Sequence, residues 1–166
     1  MELELPDQLT AEQRELVVSL AKRNEADHGA GLLGLVLSGS AARGMTTERS
    51  DLDIYVVLTD EAARDQTTTR TDAVDEIPVA LSELEDIPPF GTEGWWFRWA
   101  FAWTPTLLDR TRGRIPEASR RRATLSDDEA DRPHRARPAR RVDQLRLPGA
   151  QVRPRRPAAG TTTRRG

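Results

Sequence analysis

The sequence predicts an α/β (α+β) domain, a small mixed β-sheet flanked by helices, followed by a disordered C-terminal tail. Three observations lead there. Two short apolar runs, residues 32–38 and 52–58, have the composition and length of strands. A capped, periodic helix signal precedes them, and weaker helix signals follow. The composition then changes abruptly near Asp131. Residues 1–130 carry 14 Lys and Arg against 25 Asp and Glu, a balance of −11. Residues 131–166 carry 11 Arg against 2 Asp, a balance of +9. One domain over 1–130 and an Arg/Pro-rich tail over 131–166 is the organisation this implies.

Each element has a local cause. Thr10-Ala11-Glu12-Gln13 reads as a capping box, with Thr10 as N-cap and Gln13 three residues on. Leu16, Val17, Leu20 and Ala21 then share one helical face. The charged residues around His28 read as a connection. Strands at 32–38 and 52–58 bracket a small-residue turn and a polar loop. Residues 61–73 read as a helix weakened by Thr67, Thr68 and Thr69. A strand at 77–81 follows, and Pro88-Pro89 breaks the chain.

Residues 93–103 read as a helix. At about 100° per residue, Trp95, Trp96, Trp99 and Trp103 share one face, opposite Phe97 and Phe101. Core packing between two layers is the expected role of these rings. A platform for a base or an acceptor ring is the competing one. Pro105 ends the helix. Thr106–Asp109 reads as a short last strand, closed by a turn at Gly113, with helices at 116–123 and 124–130.

The chemistry lies between the first two strands. Gly39-Ser40 ends the first apolar run, ten residues intervene, and Asp51-Leu52-Asp53-Ile54 opens the second. Side chains alternate along a strand, so Asp51 and Asp53 face one side while Leu52, Ile54 and Val56 face the other. At ~3.3 Å rise per residue the two acids stand about 6–7 Å apart at the backbone. Their carboxylates can converge on one or two hard cations, and magnesium prefers such oxygen ligands. Two ions can clamp both oxygens of an in-line phosphoryl displacement. Gly39 lets the backbone approach a ligand. Ser40 offers a hydroxyl and an N–H, and Arg43 a nearby cation. The competing reading is a surface turn beside an acidic strand end.

This arrangement resembles the nucleotidyltransferase superfamily related to DNA polymerase β. The resembling residues are Leu37-Ser38-Gly39-Ser40 and Asp51-Leu52-Asp53-Ile54, with Arg43-Gly44 between and Ser50 just before the acids. Small bacterial members such as aminoglycoside-modifying enzymes are the branch most similar. The likeness is good over 32–58 and looser over 10–124. It implies a nucleotidyltransferase fold and transfer of a nucleoside monophosphate from magnesium-bound ATP, or another nucleoside triphosphate, to a hydroxyl, releasing pyrophosphate. It implies that Asp51 and Asp53 ligate Mg2+, as a two-ion site. Gly39, Ser40, Arg43 and Ser50 would bind nucleotide. The acceptor would be a small hydroxyl-bearing molecule or a protein hydroxyl.

The superfamily usually adds a third acid from a later strand, as base or metal ligand. Asp75 and Glu76 stand before the apolar run at 77–81. Neighbours on a strand alternate, so only one of them can face Asp51 and Asp53. Glu76, adjoining the run, is preferred over Asp75. Pro78 lacks a ladder donor and suggests an edge strand or a bulge.

The rest of the composition excludes several classes. Without cysteine the chain has no disulfide and no thiolate zinc site. His28 and His134 lie far from metal-ligand spacing. No apolar run approaches the ~18–20 residues of a membrane span. The acidic N-terminus does not resemble a signal peptide, so the cytoplasm is expected and a membrane partner is not. The tail holds 5 Pro and only four large aliphatic residues, too few to offset its ordering entropy. It reads as a basic arm for nucleic acid, as an ordinary solvated tail, or as out-of-frame sequence replacing a helical domain. The abrupt stop of helix-compatible acidic sequence at Asp131 favours the last. The resembling enzymes usually continue into such a helical domain. A truncated, inactive nucleotide-binding domain is therefore the alternative to an enzyme.

Overall fold

The computed structural model describes residues 1–45, 50–92 and 94–130. The expectations for 131–166, disorder included, lie outside the described residues. The described elements form a five-stranded mixed sheet between helical layers.

Helix α1 (Ala11–His28) begins at the expected capping box, with Thr10 Oγ1 accepting from the Gln13 N–H and Gln13 Oε1 accepting from the Thr10 N–H. It runs through the charged stretch expected to be a connection and ends only at Gly29. A glycine is well suited there, because the backbone turns to φ +53°. β1 (Leu32–Ser38) then leads into a single helical turn, α2 (Gly39–Ala42). β2 (Leu52–Leu58) returns antiparallel to β1, and both strands fall where the apolar runs placed them.

Residues 61–73 depart from expectation. The helix is only α3 (Asp60–Ala63), capped by Thr59, and Thr69–Arg70 form the short strand β3 instead. β-branched threonines fit a pleated edge better than a helix. β4 (Val74–Ala80) starts three residues earlier than the apolar run suggested and pairs parallel to β2. Short α4 (Leu81–Glu85) follows. After it comes a 3₁₀ helix (Trp95–Phe101) where an α-helix was expected. β5 (Thr106–Asp109) closes the other edge against β1, giving the order β3-β4-β2-β1-β5. Pro78 pairs with Val56 on one side and lies past the two-residue β3 on the other, so its missing N–H faces no partner strand.

The sheet buries apolar side chains on both faces. On one face Leu35, Leu37, Ile54, Val56 and Leu58 meet Val17, Leu20 and Ala21 of α1. On the other, Val36, Tyr55, Val57 and Val79 meet Phe101, Leu84 and Ile115. Each fully buried aliphatic or aromatic side chain contributes about 1.5–3 kcal/mol. Gly34 in β1 allows the helix that carries Ile115 to pack close against the sheet, since a Cβ there would lie 2.4 Å from Ile115 Cδ1.

Two buried arginines lock the second layer. Arg122, in α5 (Arg114–Ala123), donates to the carbonyls of Glu83, Leu84 and Asp86 at the end of α4. Arg98 donates to the carbonyls of Arg121, Arg122 and Thr124 at the end of α5, and to Glu129 in α6 (Asp127–Ala130). Guanidinium groups thus satisfy helix C-terminal carbonyls that lack intrahelical partners. The rings of Trp95 and Trp99 flank Arg98, each 5.8 Å from its Cζ. The expected tryptophan core is therefore absent. Phe101 is buried, whereas Trp96, Trp99 and Trp103 are exposed. Three residues per turn does not gather the four indoles on one face as 3.6 would.

Candidate functional site

Gly39 and Asp53 are pressed together. Gly39 adopts φ +65°, and a Cβ built on it would lie 1.9 Å from Asp53 Oδ2. Only glycine allows both the left-handed backbone and this contact. β1 therefore ends in a turn that lays its backbone against a carboxylate on β2. Ser40 follows within α2, and the exposed Arg43 closes that turn.

The sheet register sets the neighbours of Asp53. Ser38 of β1 pairs with Asp53, Asp53 pairs with Asp75 of β4, and Asp75 pairs with Arg70 of β3. Registered partners share a face, so these four side chains form one row across four strands. Asp51 stands two residues before Asp53 on the same face. Ser38 Oγ is held by the Ala100 carbonyl at 2.6 Å. At the far end of the row Arg70 Nε lies 3.2 Å from Asp75 Oδ2.

Glu76 does not belong to this row. It pairs with Ile54 and faces the α1 side, nine-tenths buried. There Arg23 binds its Oε1 and Asn24 Nδ2 donates to its Oε2 at 2.9 Å. Glu76, the preferred third acid, therefore lies on the face opposite Asp53, and the register favours Asp75. β4 begins at Val74, which places Asp75 rather than Glu76 in phase with Asp53. One site neighbour escaped the sequence reading: Arg70 sits on a strand that threonines disguised as a weak helix. Ser38 belongs to the glycine-turn motif, which assigns it no role of its own.

Like charges crowd the site. Partial burial pushes the Asp53 carboxyl above its ordinary range, and Asp51 and Asp75 add to the shift, with Arg70 opposing. Tyr55, next on the same face, is raised to about 12 by burial and by Asp53, so its phenol stays protonated at neutral pH. Among the described residues, neither Asp51 nor Asp53 has an ion-pair partner. The donor set is all oxygen, which suits a hard cation. Among the described residues no three such side chains are already gathered to hold a metal alone. Any cation here would complete its shell from substrate and water.

Part of this sheet face is closed. From Tyr55 onward it is covered by Phe97 and Phe101, whose centroids lie 6.3 and 4.5 Å from the Tyr55 ring. A cavity of about 920 Å³ lies off the row, between the N-terminal segment, β5 and α5, with Phe101 and Trp103 in its wall. No described helix is long and apolar enough to cross a membrane.

Comparison with known proteins agrees with the geometry. Residues 18–92 match the family model of a nucleotidyltransferase domain. The matched stretch runs through β1 to α4 and contains Gly39, Ser40, Asp51, Asp53 and Asp75. The match supports the nucleotidyltransferase superfamily and does not reach its aminoglycoside-modifying branch. No curated protein matches the chain.

Proposed function

We propose that this nucleotidyltransferase domain transfers a nucleoside monophosphate from a magnesium-bound nucleoside triphosphate to a hydroxyl acceptor. The acceptor oxygen forms a bond to the α-phosphorus, the bond to the bridging oxygen breaks, and pyrophosphate leaves with that oxygen. The observation that carries the reading is the contact of the Gly39 turn with Asp53, inside the matched domain and beside two more carboxylates in phase.

Each residue then has a role. Gly39 and Ser40 present backbone and hydroxyl to the terminal phosphates. Arg43 adds a positive charge, and Ser50 stands just before Asp51. Asp51 and Asp53 would hold magnesium, which when bound offsets phosphate charge and the repulsion among the acids. Asp75 either contributes a ligand or takes the proton of the acceptor hydroxyl. Its partner Arg70 lies on the exposed edge strand β3 and can swing away when substrate binds. Tyr55 and the phenylalanines shield the inner side of the site from water. The acceptor is a small alcohol or a protein hydroxyl.

The test is calorimetric titration of magnesium–ATP, with GTP, CTP and UTP alongside, into the full chain and into Asp51→Asn/Asp53→Asn. Magnesium-dependent binding that the double variant loses is expected. Pyrophosphate release against a panel of small alcohols and proteins follows from that result. A chain that binds none of the four nucleotides would refute the catalytic reading.

A further inference from the structure

Trp103 differs from the other aromatic residues of its segment. Its side chain is 75% exposed, and its backbone holds φ 60°. A bulky residue rarely adopts that left-handed region, and such outliers cluster where a side chain must be aimed. The turn around it is braced, with Thr104 Oγ1 donating to the Phe101 carbonyl at 2.8 Å and Pro105 following. Core packing does not account for a flat apolar ring so exposed to water.

Its neighbours suggest what the ring is for. The guanidinium carbon of Arg43 lies 5.9 Å from the ring centroid. Arg43 is four residues beyond Gly39, so its backbone is about 6 Å along the α2 axis from the turn that touches Asp53. Arg43 thus links the Trp103 ring to the turn that touches Asp53, and Trp103 also lines the groove along β5.

We propose that Trp103 is the stacking platform for the base of the donor nucleotide, with Arg43 between base and phosphates. This deepens the nucleotidyltransferase reading above and rests on it. A nucleotide whose phosphates meet Gly39, Ser40 and the aspartates projects its base one sugar away. An exposed indole face beside a guanidinium is a surface on which nucleobases stack. Every base has such a face, so the platform favours nucleotides over bare polyphosphate and discriminates weakly among bases. Trp96 is also exposed, but it packs edge-on against Phe97 with centroids 5.8 Å apart, and it serves as control.

The experiment titrates magnesium–ATP and magnesium–tripolyphosphate into the full chain and into Trp103→Ala, Trp103→Phe, Trp96→Ala and Asp53→Asn. Trp103→Ala is expected to weaken ATP about tenfold or more and to leave tripolyphosphate unchanged. Trp103→Phe should recover most of the loss, and Trp96→Ala should bind as wild type. ATP affinity unchanged in Trp103→Ala, with Asp53→Asn impaired, overturns the platform alone. Equal loss of both ligands in Trp103→Ala also overturns it. ATP binding unchanged in Asp53→Asn overturns the nucleotide-site reading itself.

Discussion

Asp75 and Glu76 are consecutive acids on one strand, and the two faces of the sheet treat them oppositely. Glu76 is enclosed against α1, with Arg23 and Asn24 on its two oxygens. Asp75 stands in a row with Asp53, beside Asp51, and among the described residues its ion-pair partner is the exposed Arg70. A carboxylate whose oxygens are satisfied holds a helix to a sheet. Carboxylates left crowded are poised to be neutralised by something from outside. The contrast separates an acid that holds a helix to the sheet from a candidate for the site more surely than proximity in sequence.

Removing the crowded acids should have the largest effect. Asp53→Asn is expected to lower transfer by on the order of 10²–10³-fold, read as pyrophosphate release. The same variant should not lose stability. Burial and then the charges of Asp51 and Asp75 raise the Asp53 pKa, so the folded chain binds that proton more readily than the unfolded one. Its ionisation lowers stability as pH rises through the carboxylate range. At neutral pH the asparagine variant should therefore melt slightly higher, by a change within about 0.5 kcal/mol. A large drop in Tm would mean that Asp53 is structural.

The neighbouring pair gives the sharpest contrast. Asp75→Asn is expected to cut transfer by about 10²-fold with an unchanged Tm. Glu76→Gln should keep most activity and lose about 1–3 kcal/mol, because Arg23 and Asn24 are left with a poorer partner. Reversal of these two phenotypes in denaturant titration and assay would return the third-acid role to Glu76.

Gly39→Ala acts on both faces of the question. Its left-handed φ alone costs on the order of 1–2 kcal/mol in a non-glycine residue, and the added Cβ must displace Asp53. Chemical denaturation should show that loss, together with weakened nucleotide binding. Normal affinity in a destabilised variant would separate the turn from the site.

Glu129, away from the site, provides the smallest effect and a control on pH. Hydrogen bonds from the Ser126 backbone, the Trp95 indole and the Ser126 hydroxyl, with Arg98 alongside, hold its pKa at about 2. A depressed carboxylate contributes stability above its ordinary pKa of 4.5 and loses it as pH falls toward about 2. Glu129→Gln should cost about 1–2 kcal/mol at pH 7, with the difference gone near pH 2 in melting experiments. Activity should be little changed.

Several features were legible in the residues themselves. The Thr10–Gln13 box, the strands at 32–38 and 52–58 and the last strand at Thr106–Asp109 all follow from local chemistry. So does the phase of Asp51 against Leu52, because alternation belongs to any strand. Other features were not legible. Thr67 to Thr69 carry no mark that distinguishes a poor helix from an edge strand, so Arg70 was hidden. The tryptophans match an α-helical period, yet the segment winds as a 3₁₀ helix capping an arginine-locked corner.

By itself the sequence determined the capped first helix, the paired strands, the glycine turn and the two aspartates on one face, since these depend on backbone periodicity and nearest neighbours. Only the tertiary structure decided which later acid joins them and which arginine meets it. That choice depends on where β4 begins and on its parallel register with β2, in which Asp75 falls opposite Asp53. A shift of one residue would exchange the two faces, and register is set by packing against α1 and the aromatic layer rather than by the strand alone.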